Sequence, residues 1–105
     1  MAWIYLLIAG LFEIGWPLGL KLAQTTKYFY TSLSLSLVAI VISSALLYVA
    51  QKQIPIGIAY GVWTGIGAAG TFMVGVYMFN DNSSIYSWLG ICLIILGIIL
   101  LKTSH

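Results

Sequence analysis

The chain has 105 residues, of which 62% are hydrophobic and only 6% charged. A water-soluble domain of this size could not cover its surface with so few polar groups, so the composition assigns the chain to a membrane. The net charge of +2 comes from four lysines at the ends of apolar runs, where each ammonium can snorkel to the interface, and gives no basis for nucleic-acid binding.

A helix needs about 20 residues to cross the hydrocarbon core. Four apolar runs meet that length, at about 2–22, 29–50, 55–79 and 85–101. Each is too long and continuous for a barrel strand, so an all-α membrane protein is expected, with residues 1–105 forming a single four-helix transmembrane domain. Too little chain is left over for a separate catalytic or binding domain.

The first run, "LLIAGLFEIGWPLGLKL" at its centre, carries one carboxylate, Glu13. It lacks a basic leading region and an A-x-A cleavage site, so a permanent span is expected rather than a signal peptide. A charged side chain at mid-bilayer costs about 3 kcal/mol on insertion scales. A carboxyl group there is cheapest when it holds a proton, which suits a proton-coupling residue. The plainer alternative is a protonated acid that only bonds a neighbouring helix. Gly10 at i−3 and Trp16 at i+3 share the face of Glu13. Gly10 would leave room beside the carboxylate, and Trp16 would donate its indole N–H or stack on a cation. Trp3 and Trp88 suit interfacial anchoring better. Pro17 has no N–H, so the carbonyl of Glu13 loses its i+4 donor. Either the freed carbonyl or the kink reshapes the site, or the kink is simply tolerated with help from a hydroxyl or water.

Short loops, "AQTTKY", "QKQIP" and "NDNSS", force successive helices to run antiparallel. The second run offers Ser43 and Ser44 at mid-depth, hydroxyls that in isolation usually bond their own helix. The third opens at Pro55, expected in its first turn, and reads "PIGIAYGVWTGIGAAG". Tyr60, Trp63 and Gly67 recur at i, i+3 and i+7, an aromatic stripe beside a small residue. Such a stripe serves helix packing or a cation site; Tyr60 could bond a carboxylate and Trp63 could face a cation. Six glycines make this helix thin and bendable. Ser83 or Ser84 is the candidate N-cap of the fourth helix, where Gly90 and Gly97 share a face and permit close backbone approach. Cys92 is alone, and neither a Cys–His nor a Ser–His pairing nor a metal-ligand cluster is present, His105 being terminal; enzyme activity is not expected.

Lys21 and Lys27 fall on one side of the membrane, Lys52 and Lys102 on the other. The positive-inside rule therefore selects neither orientation. Either other factors fix one orientation, or the chain inserts both ways and two opposed copies pair. Such an antiparallel homodimer would reproduce the inverted-repeat symmetry that larger transporters carry within one chain.

Across essentially the whole chain, the sequence resembles the small multidrug resistance family. "GLFEIGWPLGLK", "PIGIAYGVWTGIGAAG" and the pair Gly90 and Gly97 carry the likeness. Trp16 and "WTGIGA" at 63–68 look most like its guanidinium-exporter subtype. The resemblance implies a proton-coupled antiporter of the bacterial inner membrane, working as an antiparallel, dual-topology homodimer of eight helices. It implies that the two Glu13 side chains bind protons or the cation in turn, with protons as the coupling ion and no other cofactor. Trp16 and Ser43 would hydrogen-bond Glu13. Tyr60 would reach Glu13 across the dimer, and Trp63 would line an aromatic wall. Gly65 and Gly67 would permit a bend in helix 3, and helix 4 would hold the dimer. Guanidinium suits such a site, because it is planar, always charged and donates paired N–H bonds to a carboxylate.

Pro17, the "NDNSS" loop and "TTKYFY" depart from the family pattern and leave the subtype open. A promiscuous exporter of quaternary and aromatic cations is one alternative, a non-transporting membrane partner protein another. A heterodimer with a related chain is a third arrangement, against which the balanced lysines argue.

Overall fold

The computed structural model describes residues 1–104, and His105 lies outside them. Four helices follow in chain order: α1 Ala2–Thr25, α2 Phe29–Ala50, α3 Ile56–Met78 and α4 Ile85–Ser104. All four are long and apolar enough to cross a membrane. Two run past their expected ends, and hydroxyl groups close those extra turns. Thr25 and Thr26 donate to the carbonyls of Lys21 and Leu22 at 2.9 and 2.7 Å. Thr103 and Ser104 donate to those of Leu100 and Leu101 at 2.9 and 2.8 Å. These hydroxyls bond back to carbonyls three or four residues earlier, and the Leu22 carbonyl also accepts from the Thr26 amide at 2.9 Å, so the last turns are held by side chain and backbone together.

The other boundaries have local causes. Pro55 stands just before α3 rather than in its first turn, and its carbonyl accepts from the Ala59 amide at 2.9 Å. The end of α3 is set by Asn80, whose φ of 53° is left-handed and ends the helix. The amides of Phe79 and Asp81 both turn back to the Gly75 carbonyl, at 3.1 and 3.0 Å. Of the two candidate caps of α4, Ser84 is the one that serves: its Oγ accepts from the Ser87 amide at 3.3 Å.

α1 is the central helix. α2 and α3 both pack on it, α4 packs on α3 alone, and α2 and α3 meet only marginally. The molecule measures 44 × 34 × 16 Å. The main contacts run α2–α1–α3–α4 in a row, so the molecule is closer to a flat layer of helices than to a closed bundle. Its tightest packing lies at one end, where Ala2, Leu6, Ala50, Ile54, Ala59 and Val62 close against one another. Most other large apolar side chains stay exposed, as lipid-facing residues should. α4 buries only Ile91.

Lipid is as apolar as leucine, so burial from water does not hold these helices together. Close packing and interhelical hydrogen bonds do. At the membrane surfaces, all four lysines lie over aromatic rings: Lys21 over Phe79, Lys27 over Tyr28, Lys52 over Tyr48 and Lys102 over Trp3. The ammonium-to-ring distances of 5.1 to 5.9 Å are within cation–π range.

Candidate functional site

Glu13 sits on α1, half-buried between that helix and α3. One turn along α1, the Trp16 indole N–H donates to Glu13 Oε1 at 2.8 Å. The other carboxylate oxygen, Oε2, is buried and has no hydrogen-bond partner among the described residues. The side chain lies against the α3 backbone at Gly67, where a Cβ would collide with Glu13 Cγ. Only glycine at 67 leaves the carboxylate room to lie flat between the helices. The outcome is a carboxylate held through one oxygen, with the other buried and without a donor among the described residues.

A second constellation lies one turn of α1 away, about 5.4 Å along the axis. Ser43 of α2 is fully buried; its hydroxyl donates to the Ala9 carbonyl at 2.7 Å and accepts from the Trp63 indole N–H at 2.8 Å. A hydroxyl has one hydrogen to give. That of Ser43 goes to Ala9, so Ser43 does not bond Glu13 as the resemblance implied; it ties α1, α2 and α3 together instead. The rings of Trp63 and Tyr60 are 5.6 Å apart at 51°. Tyr60 is 55% exposed and faces outward from the single chain. The neighbouring Ser44 is exposed.

Gly10 does not leave room beside the carboxylate. Ile66 of α3 packs over it, and a Cβ at Gly10 would come within 2.8 Å of the Ile66 side chain. Gly10 therefore sets the approach of α1 to α3, and Gly67 provides the space at Glu13. Gly65 faces α4, against Ile98 and Ile94, and α3 is continuous through both glycines. Gly90 and Gly97 have nothing within 4 Å of where a Cβ would stand, so both face open space on this chain. Pro17 lies inside an unbroken α1 and borders a cleft of about 220 Å³ that Lys21, Thr71, Phe79 and Asp81 also line.

One contact was not expected from the sequence. Ser36 of α2 donates to the Trp16 carbonyl at 2.7 Å. A signal for it exists. Ser32, Ser36, Ala39 and Ser43 recur at steps of 4, 3 and 4 along α2 and are all buried. That spacing marks one face of small residues pressed on another helix.

Four helices long enough to span, one of which carries a half-buried carboxylate, define an integral membrane protein with an ionisable group inside the bilayer. The family model described as "Small Multidrug Resistance protein" matches residues 1–94. Relatives named "Guanidinium exporter" from Yersinia pseudotuberculosis, Proteus vulgaris and Escherichia coli K12 are 45%, 42% and 41% identical over 104 residues. Each alignment covers 99% of this chain and 98–99% of the relative. The chain belongs to the small multidrug resistance family and is a multi-pass protein of the bacterial inner membrane.

Proposed function

We propose that the protein is a proton-coupled antiporter that exports guanidinium and small substituted guanidinium cations, working as an antiparallel homodimer. The observation that carries this reading is the divided carboxylate of Glu13. Trp16 holds Oε1 and fixes the plane of the group, while the buried Oε2 has no donor. A guanidinium ion presents paired N–H donors in one plane and satisfies such an oxygen directly. A proton satisfies it equally well. The two ligands compete for the same lone pairs, and competition is all that exchange requires. The names of the relatives support the same cargo.

The dimer has two supports. A layer 16 Å thick does not enclose an aqueous path by itself, whereas two such layers face to face do. Two lysines at each membrane surface leave both insertions equally acceptable. In the antiparallel pair, the exposed Tyr60 of one copy would reach the Glu13 of the other. Quaternary ammonium cations have no N–H to give to Oε2, so they should bind less well than guanidinium. A passive membrane partner has little use for a mid-bilayer acid.

Proton release tests the exchange. Guanidinium added to detergent-solubilised protein in weak buffer should acidify the solution, and the Glu13→Gln protein should give no such signal. Guanidinium binding without proton release would overturn coupling at Glu13.

A further inference from the structure

We propose that Ser36 is a positioning residue for the cation site, acting through Trp16 to compensate for the backbone hydrogen bond that Pro17 removes from α1. The proposal concerns the same site and rests on the proposed function only for its binding readout.

Three residues with no evident purpose in an ordinary membrane helix meet at one point. Pro17 has no N–H, so the rung from residue 17 to the Glu13 carbonyl is missing. The proline ring also crowds that carbonyl. The turn weakened in this way is the one that carries both Glu13 and Trp16. On the facing helix, the Ser36 hydroxyl donates at 2.7 Å to the carbonyl of Trp16, the residue immediately before the proline. Ser36 is only 7% exposed, so water is a poor competitor for that bond. The third residue is Gly19. A Cβ there would collide with Ser36 Oγ and come within 2.7 Å of the Ser32 carbonyl. Only glycine at 19 lets α2 approach closely enough for Ser36 to reach its acceptor.

A carbonyl oxygen has two lone pairs, so this bond can add to the helical one. It ties the backbone of Trp16 to α2 where α1's own ladder is incomplete. The Trp16 backbone in turn aims the indole at Glu13 Oε1, and the indole decides which carboxylate oxygen is left without a donor. Ser36 thus touches neither cation nor proton, yet fixes the plane in which Oε2 is offered. Ser43 bonds α1 seven residues away, at Ala9, and has no proline to offset.

The test begins without any cation. In protein carrying ¹⁵N-labelled tryptophan, the Trp16 indole resonances, assigned with Trp16→Phe, should move toward those of a free indole in Ser36→Ala. They should be restored in Ser36→Thr, which keeps the hydroxyl. Gly19→Ala, which displaces the hydroxyl without removing it, should move the same resonances, and the Trp63 indole should stay in place in each variant. Guanidinium binding should weaken about three- to tenfold in Ser36→Ala, the size expected for one hydrogen bond. The same substitution should cost little in a Pro17→Ala background, where the missing rung is restored. Unmoved Trp16 resonances in Ser36→Ala would overturn the proposal, and so would an equal binding loss in both backgrounds. A shifted indole in a protein that binds no guanidinium would uphold the positioning role and count only against guanidinium as cargo.

Discussion

The seam between α1 and α2 and the seam between α3 and α4 are held by different forces. On the first, Ser36 and Ser43 each donate at 2.7 Å to a carbonyl of α1, those of Trp16 and Ala9, on either side of Glu13. On the second, Gly61 and Gly65 meet the side chains of Leu101, Ile98 and Ile94, and Phe72 meets the edge of Trp88 at 5.0 Å. No side-chain hydrogen bond joins α3 to α4 among the described residues. Hydrogen bonds are directional and fix both rotation and register, whereas apolar tips over glycine resist sliding only weakly. These bonds fix α1, the helix that carries Glu13, against α2, while the carboxylate itself lies on the α1–α3 side, against Gly67. The α3–α4 seam ends in a helix that, among the described residues, buries only Ile91, and its contacts are the less directional ones.

The two faces of α3 separate these behaviours most sharply. Gly67→Val places a side chain into Glu13 and should weaken guanidinium binding by about 100-fold, the scale of an ångström-size misplacement. Gly65→Ala, two residues away, meets the side chains of Ile98 at 3.0 Å and Ile94 at 3.3 Å on the α4 side, away from Glu13, and should bind guanidinium nearly as well as the parent. Titration calorimetry of both would break the distinction if the losses were alike. Ser43→Ala should then cost about 1–2 kcal/mol in unfolding, because the Trp63 indole N–H is left buried without an acceptor. An unfolding free energy equal to the parent's would show that the α1–α2 seam does not depend on its bonds. Smallest is Ile98→Val on the α3–α4 seam, at about 1 kcal/mol of stability. Its guanidinium affinity should be unchanged, and a clear loss would mean that the outer seam also supports the site.

The apolar runs are legible in the sequence because crossing a bilayer demands both length and continuity, and little else produces either. The bond from Trp16 to Glu13 is legible for a similar reason, since a separation of three on one helix is decided locally. What escapes the sequence depends on how one helix sits against another. Ser43 is at mid-depth as expected, yet the rotation of α2 points its hydroxyl at Ala9 and Trp63 rather than at Glu13. Gly10 is expected to make space and instead receives Ile66, because α3 lies over that turn of α1. Ser36 is hard to single out because no one serine differs from its neighbours in "TSLSLSLVAIVISS"; the buried stripe becomes visible only once the small residues are counted together along α2.

The most direct test of exchange at Glu13 is flux in sealed proteoliposomes under an inward proton gradient, with guanidinium compared against tetraethylammonium and the parent protein against Glu13→Gln. Proton-driven guanidinium movement that vanishes in Glu13→Gln, with little movement of tetraethylammonium, is the expected result. Equal guanidinium flux in both proteins would contradict it, because Glu13 would then not be where cation and proton exchange.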